Sequence, residues 1–153
     1  MKSLYIIAVG KLKDKNYQSI ENEYLKRITN PSLQIIEIKT PTEDKQQAAT
    51  EVLKKVSDIN KKNNPFIVLL CENGETYDSP TFANWLTKLS DQGKENIFFI
   101  IGGAAGHGEK VLAAAQHKIS LSALTMPHRM ARIILVEQLY RAQTLQQGHP
   151  YHK

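Results

Sequence analysis

The sequence predicts an α/β fold, a mostly parallel β-sheet flanked by helices. Three observations carry this reading. Short runs of branched and aromatic residues alternate with amphipathic stretches of helical period, the pattern of successive βα units. Two of the runs, PFIVLLC (65–71) and NIFFIIGG (96–103), are apolar throughout, as strands covered on both faces are. No internal repeat, low-complexity segment or linker interrupts the alternation, so residues 1–153 read as one domain.

The elements follow in order. LYIIAVG (4–10) is strand-like and closes on Gly10. Its apolar run is too short for a signal peptide, and GKLKDK follows it where a small-residue cleavage site would stand. YQSIENEYLKRI (17–28) reads as a helix, with Ile20, Tyr24 and Ile28 on one face, and LQIIEI (33–38) as a second strand. In the helix of residues 42–62, Thr42 is the expected N-cap, and Ala49, Val52, Leu53, Val56 and Ile59 share a face. After the strand PFIVLLC comes SPTFANWLTKL (79–89), a helix with Ser79 as cap and Pro80 at its first position. NIFFIIGG leads to a short helix, GEKVLAAAQ (108–116), then to the strand KISLSAL (118–124) and a long helix, RMARIILVEQLYRAQTL (129–145).

That last helix carries Met130, Ile133, Ile134, Leu135, Val136, Leu139 and Tyr140 over more than half its circumference. One stripe is enough to dock on a sheet, so the surplus points to a homodimer interface. Glu137 and Arg141, four residues apart, are placed to pair.

Composition narrows the function. Apolar residues make up 41% and charged residues 23%, an ordinary globular balance, with no run approaching the ~18 apolar residues of a membrane span. The single Cys71 excludes an internal disulfide and fits a cytoplasmic, reducing setting. Net charge is +5. From Lys110 onward the only acid is Glu137, set against Lys110, Lys118, Arg129, Arg132, Arg141 and Lys153, and every histidine lies at or after His107. A basic, histidine-bearing final third suits a polyanionic partner such as nucleic acid, or simply a solubilising surface.

The glycines of FFIIGGAAGHGEKV (Gly102, Gly103, Gly106, Gly108) lie between a strand and a helix, where backbone can approach a ligand. Ala104 stands where a dinucleotide fingerprint needs glycine, and no Gly-Lys-Ser/Thr follows for a P-loop. Residues 122–127, which Pro127 bars from continuing into helix at Met126, form either a plain crossover or a wall suited to an adenine ring. His128 caps, packs or touches substrate. His149 and His152 have ligand-like spacing but no companion thiol or acidic cluster, so no metal site is expected. Cys71 ends an apolar strand and reads as a small hydrophobe.

Five segments, AVGKLK, EYLKRI, IIGGAAGHG, SLSALTMPHRMARIILVEQLYRA and the terminal HPYHK, occur in an order and spacing that closely resemble the ribosomal large-subunit methyltransferase H family. These are small members of the SPOUT class. The likeness runs the whole length, and its specificity sits in the last fifty or so residues, in the Pro-His, Leu-Tyr-Arg-Ala and Tyr-His-Lys elements.

The resemblance implies a C-terminal trefoil knot, against the general rule that chains are unknotted. It implies a homodimer binding S-adenosyl-L-methionine and methylating N3 of a pseudouridine in the helix-69 stem-loop of 23S rRNA, on assembled ribosomes. The cofactor contacts it implies are Leu70 and Cys71 at a strand end, Gly102, Gly103 and Gly106 in the turn, and Ser122, Ala123, Leu124, Thr125, Met126 and Pro127 in the loop. His128, Tyr151 and His152 are the candidate acceptors of the N3 proton, and Arg141 or Arg132 could stabilise the charge that develops. Arg129, Arg132, His149 and Lys153 are expected to face RNA. The sequence departs from its relatives at Ala104 and Ala105, often polar or acidic there, and at His107, often leucine, which bears on cofactor orientation. A non-catalytic RNA- or ribosome-binding protein that keeps the knot is the alternative, and a small nucleotide-binding enzyme a more distant one.

Overall fold

The sheet of the computed structural model, which describes residues 3–40, 44–61 and 65–153, has the order β2-β1-β4-β3-β5. Its strands are β1 (Ser3–Val9), β2 (Leu33–Ile38), β3 (Phe66–Thr76), β4 (Asn96–Ile101) and β5 (His117–Ser120). Every pairing is parallel. Among the described residues, α1 (Lys15–Arg27), α2 (Lys45–Ile59), α3 (Ser79–Asp91) and α4 (Glu109–Ala114) join successive strands, and α5 (His128–Gln147) follows β5. No helix among the described residues is long and apolar enough to cross a membrane.

Strand periodicity sorts the core into two layers. Leu4, Ile6, Val68, Ile97 and Phe99 point to one face, beneath α1, α3 and α5, where Leu86, Leu135 and Leu139 complete the packing. Ile7, Ile67, Leu69, Phe98 and Ile100 point to the other, against Val52 and Val56 of α2 and Val111 of α4. Residues 66–70 of β3 and 97–101 of β4 are apolar throughout because both faces of the sheet are covered there.

Several details differ from the sequence expectation. On α1 it is Glu21 that is buried, while Ile20 is 45% exposed. A helix face normally reserved for apolar groups takes this carboxylate because Arg132 meets it there. Helix α3 is capped by Asp78, whose carboxylate accepts from Thr81 N at 2.8 Å, and not by Ser79, whose hydroxyl instead donates to Gln138. Asp44 caps α2 by accepting from Gln46 N and Gln47 N; Thr42 lies outside the described residues.

Strand β3 continues past Cys71 to Thr76 through the polar stretch ENGET, which hides it from a hydrophobicity reading. Its register against β5 breaks there, so that Leu70 and Glu75 both face Ile119. Strand β5 is shorter than expected. It ends at Ser120, whose hydroxyl donates to Ser122 O and turns the chain away.

Candidate active site

In a parallel sheet all strands deliver their carboxyl ends to one edge, which is where ligands bind. The ends of β3, β4 and β5 meet there around a cavity of about 390 Å³. That size falls within the roughly 300–1,000 Å³ usual for small-molecule sites. Leu70, Cys71, Gly102, Gly103, Gly106, Ser122, Leu124 and Met126 line it, which brings together the main part of the expected cofactor set. Ala123, Thr125 and Pro127 are exposed on the same loop and outside the lining.

The turn after β4 is built from backbone. Gly106 N donates to Gly103 O at 2.9 Å, and Gly106 has φ +85°, a conformation side chains oppose. A Cβ on Gly102 would stand 3.0 Å from the Gly106 carbonyl, so a side chain there would press on the turn. His107 then enters the wall, with its Nε2 2.7 Å from Leu70 O. A carbonyl can only accept, so that nitrogen carries the proton. Burial pushes the His107 pKa down, with the Leu70 bond opposing, and the ring is neutral at physiological pH. Nδ1, free of hydrogen, faces Gly102.

Beyond β5 the loop is pinned locally, Leu124 N donating to Ser122 Oγ at 3.0 Å. Leu124 is nevertheless 76% exposed and Met130 43% exposed, an apolar rim open to solvent. Helix α5 begins at His128, which is exposed and lines the cavity.

The C-terminal tail folds back on α5. Gly148, at φ +70°, reverses the chain, and His149 N donates to Thr144 O. Tyr151 packs edge-on against Tyr140 at 4.7 Å and donates to Glu137 Oε1 at 3.1 Å. Glu137 also takes the Arg141 guanidinium, as the spacing on the helix predicts, and that guanidinium lies 4.8 Å over the Tyr151 ring. Arg141 Nη1 donates to His152 Nδ1 at 3.0 Å, which places the His152 proton on Nε2. Burial raises the Tyr151 phenol far above its usual range, reinforced by Tyr24 and the Glu137 carboxylate, so it serves as a donor here.

Arg141, Tyr151 and His152 thus form one cluster. His128 stands apart from it, since nine to thirteen residues of helix separate them, roughly 13–20 Å. His149 is exposed and accepts from Tyr151 N, and Lys153 is exposed.

Arg132 corrects the sequence reading. Its side chain is 8% exposed and its guanidinium donates to Glu21 at 2.7 and 2.8 Å and to Glu37 at 2.7 Å. A cation so enclosed, with its charge already met by two carboxylates, is not available to RNA. It is an internal tie between α5, α1 and β2.

A second, wider cleft of about 930 Å³ adjoins the first at Gly103, Gly106 and His128. Lys11, Lys13, Lys39, Lys45 and Arg129 line it. Of these only Arg129 was among the sequence candidates. Lys11 and Lys39 lie just past the ends of β1 and β2, and the parallel order β2-β1-β4 would have signalled their convergence towards the glycine turn. Among the described residues no cluster of His, Cys, Asp or Glu could hold a metal ion.

Comparison with known proteins agrees with this architecture. The family model described as "Predicted SPOUT methyltransferase" matches residues 1–152. A ribosomal RNA large subunit methyltransferase H from Prochlorococcus marinus (strain NATL1A) is 43% identical over 148 residues, 97% of this chain and 94% of that one. The protein of the same name from Clostridium tetani is 37% identical over 158 residues, 99% of each chain. Among solved structures, the SpoU methyltransferase AviRb from Streptomyces viridochromogenes, in complex with AdoMet, superimposes with a TM-score of 0.54 at 13% identity. That alignment covers 93% of this chain and 58% of AviRb.

Proposed function

The chain belongs to the SPOUT methyltransferase family, in the ribosomal RNA large subunit methyltransferase H group, and on that premise we propose that it methylates N3 of a pseudouridine in the helix-69 stem-loop of 23S rRNA, with S-adenosyl-L-methionine as donor. The acceptor is read as the assembled ribosome in the cytoplasm, and residues 1–153 as one knotted domain acting as a homodimer.

The observation that carries the reading is the cavity at the ends of β3, β4 and β5. It offers an apolar wall from Leu70, Ile119, Leu121 and Met126, and a turn whose glycines let a ligand reach backbone. An adenosyl group fits those features. The cofactor supplies an electrophilic sulfonium methyl; the N3–C bond forms as the S–C bond breaks, and the N3 proton must go to a base. Holding the acceptor in line supplies much of the acceleration.

We read His128 as the base that takes that proton. Its ring is exposed between the two cavities and hydrogen-bonds to no described residue. His152, with its proton on Nε2, suits stabilisation of the imidate oxygen, and Tyr151, whose single proton goes to Glu137, helps hold Arg141 in place.

A partner subunit would unite the two groups. Met130, Ile133, Ile134, Glu137 and Arg141 lie along one side of α5, and the two isoleucines there are only half buried. Ile134 is midway between His128 and Arg141. In a two-fold, antiparallel packing of α5 about Ile134, each His128 would meet the partner's tail cluster.

Two measurements test the reading. Calorimetry with S-adenosyl-L-methionine should give one site per subunit. Labelled methyl should pass to ribosomes that lack the modification and map to N3 of a helix-69 pseudouridine. Absence of heat and of transfer would return the non-catalytic binding protein, and transfer to another base would overturn the assignment.

A further inference from the structure

We propose that the cleft between the β1–α1 loop, the start of α2 and the glycine turn is the track for the RNA backbone, with Lys11, Lys13, Lys39, Lys45 and Arg129 taking successive phosphates. This rests on the proposed function and assigns a surface to it. It moves the bulk of RNA contact from the C-terminal third, where the charge count along the sequence put it, to the first 45 residues.

Four observations converge. The cleft holds about 930 Å³ and opens into the smaller cavity at Gly103, Gly106 and His128, so a strand lying in it could place one base at the methyl donor. All five cations are exposed, and none forms an ion pair with a described residue. Among the described residues the one acid in the lining is Asp44, whose carboxylate caps α2. Unpaired cations crowded along one cleft repel one another and gain by meeting a polyanion.

The lysine loop is also held in place. Leu12 N donates to Glu37 Oε2 at 2.8 Å, and Gln18 Nε2 donates to Leu12 O at 2.6 Å. Leu12 is itself buried, which anchors Lys11 and Lys13 on either side of it. Glu37 in turn receives Arg132, so the buried ion triad links this loop to the helix that carries His128 and Arg129. Helix α5 starts without a side-chain cap, leaving first-turn N–H groups at the same mouth. A groove fixed from beneath by such bonds is preorganised for a ligand backbone.

The test compares two double variants of the full-length protein in binding to purified assembled ribosomes, by fluorescence anisotropy over a potassium chloride series. Lys13→Gln/Lys39→Gln removes two cleft charges. Lys54→Gln/Lys55→Gln removes two exposed charges on α2 outside the cleft. Each lost phosphate contact lowers the slope of log K against log salt by about 0.7–0.9, so the cleft variant should lose about 1.4–1.8 in slope and at least tenfold in affinity. The control should lose little of either, and calorimetric affinity for S-adenosyl-L-methionine should be unchanged in both.

Equal losses in the two variants, or none in the cleft variant, would overturn the proposal. Wild-type binding with this charge dependence but no methyl transfer would overturn the proposed function and leave the cleft standing. Transfer that persists while the cleft variant binds normally would do the reverse.

Discussion

Arg132 donates two hydrogen bonds to the Glu21 carboxylate, at 2.7 and 2.8 Å, across 111 residues of sequence. Both side chains are 8% exposed, and Glu37 supplies the second negative charge. Removing one partner of such a buried group strands the other, at a cost of about 3–5 kcal/mol. Arg132→Ala should therefore lose about that much stability in urea unfolding. Arg132→Lys, which keeps the charge but not the planar fork, should lose less. A loss under about 1 kcal/mol for the alanine variant would mean the pair is solvated in solution.

The same triad has a pH signature. Burial would raise the Glu37 carboxyl, but the Leu12 N–H and the Arg132 guanidinium outweigh it and hold the pKa below its ordinary 4.5. A carboxyl with a depressed folded pKa contributes stability that is present above the unfolded value and lost as pH falls through the folded one. Acid unfolding should thus steepen below about pH 4.5, and Glu37→Gln should flatten that limb. An acid limb identical in the variant would remove Glu37 from the account.

His107 titrates by the same logic in a higher window. Burial depresses its pKa from the ordinary 6.5, so the folded state binds the proton less well than the unfolded one. Stability and cofactor affinity should be full above about pH 6.5 and decline as the ring is forced to charge below it. An NMR titration should give His107 a pKa under 6.5. His107→Leu should lose the bond to Leu70 O and abolish the decline. A ring that titrates at or above its ordinary value would show that it does not occupy the wall.

These residues show how much could be read before the structure. The two-layer sheet was legible because its apolar strands have to be covered on both faces. The cavity at the strand ends was legible because glycines after β4 and the loop before Pro127 mark those ends. Arg132 was misread for a physical reason: composition counts a cation as surface unless its carboxylates are known, and Glu21 and Glu37 sit in elements far away in sequence. The basic cleft was missed likewise. Lys11, Lys39 and Lys45 are scattered among acids such as Asp14 and Asp44, and only parallel strand order collects them while caps consume the acids.

The tail should separate binding from transfer. Tyr151 and His152 touch Glu137, Tyr140 and Arg141 and line neither cavity at the strand ends. His152→Ala should leave calorimetric affinity for S-adenosyl-L-methionine nearly intact while methylation of ribosomes falls by at least tenfold, the scale of a lost acid–base or positioning group. Unchanged turnover would end the case for the tail in the reaction.

Mixed dimers decide whose tail serves which pocket. If the tail of one subunit completes the site built around the partner's copy of His128, a dimer of one His128→Ala chain and one His152→Ala chain has one site with both defects and one site with neither. Random re-association makes half the dimers mixed, so an equimolar mixture should recover roughly one quarter of wild-type activity from two nearly inactive variants. If each tail serves its own pocket, every site in the mixture carries one defect and nothing is recovered. The antiparallel packing of α5 about Ile134 requires the first outcome. An additional Ile134→Asp change in both chains should abolish the recovery together with the dimer, measured by sedimentation. Recovery that survives in monomeric protein would rule out the shared site.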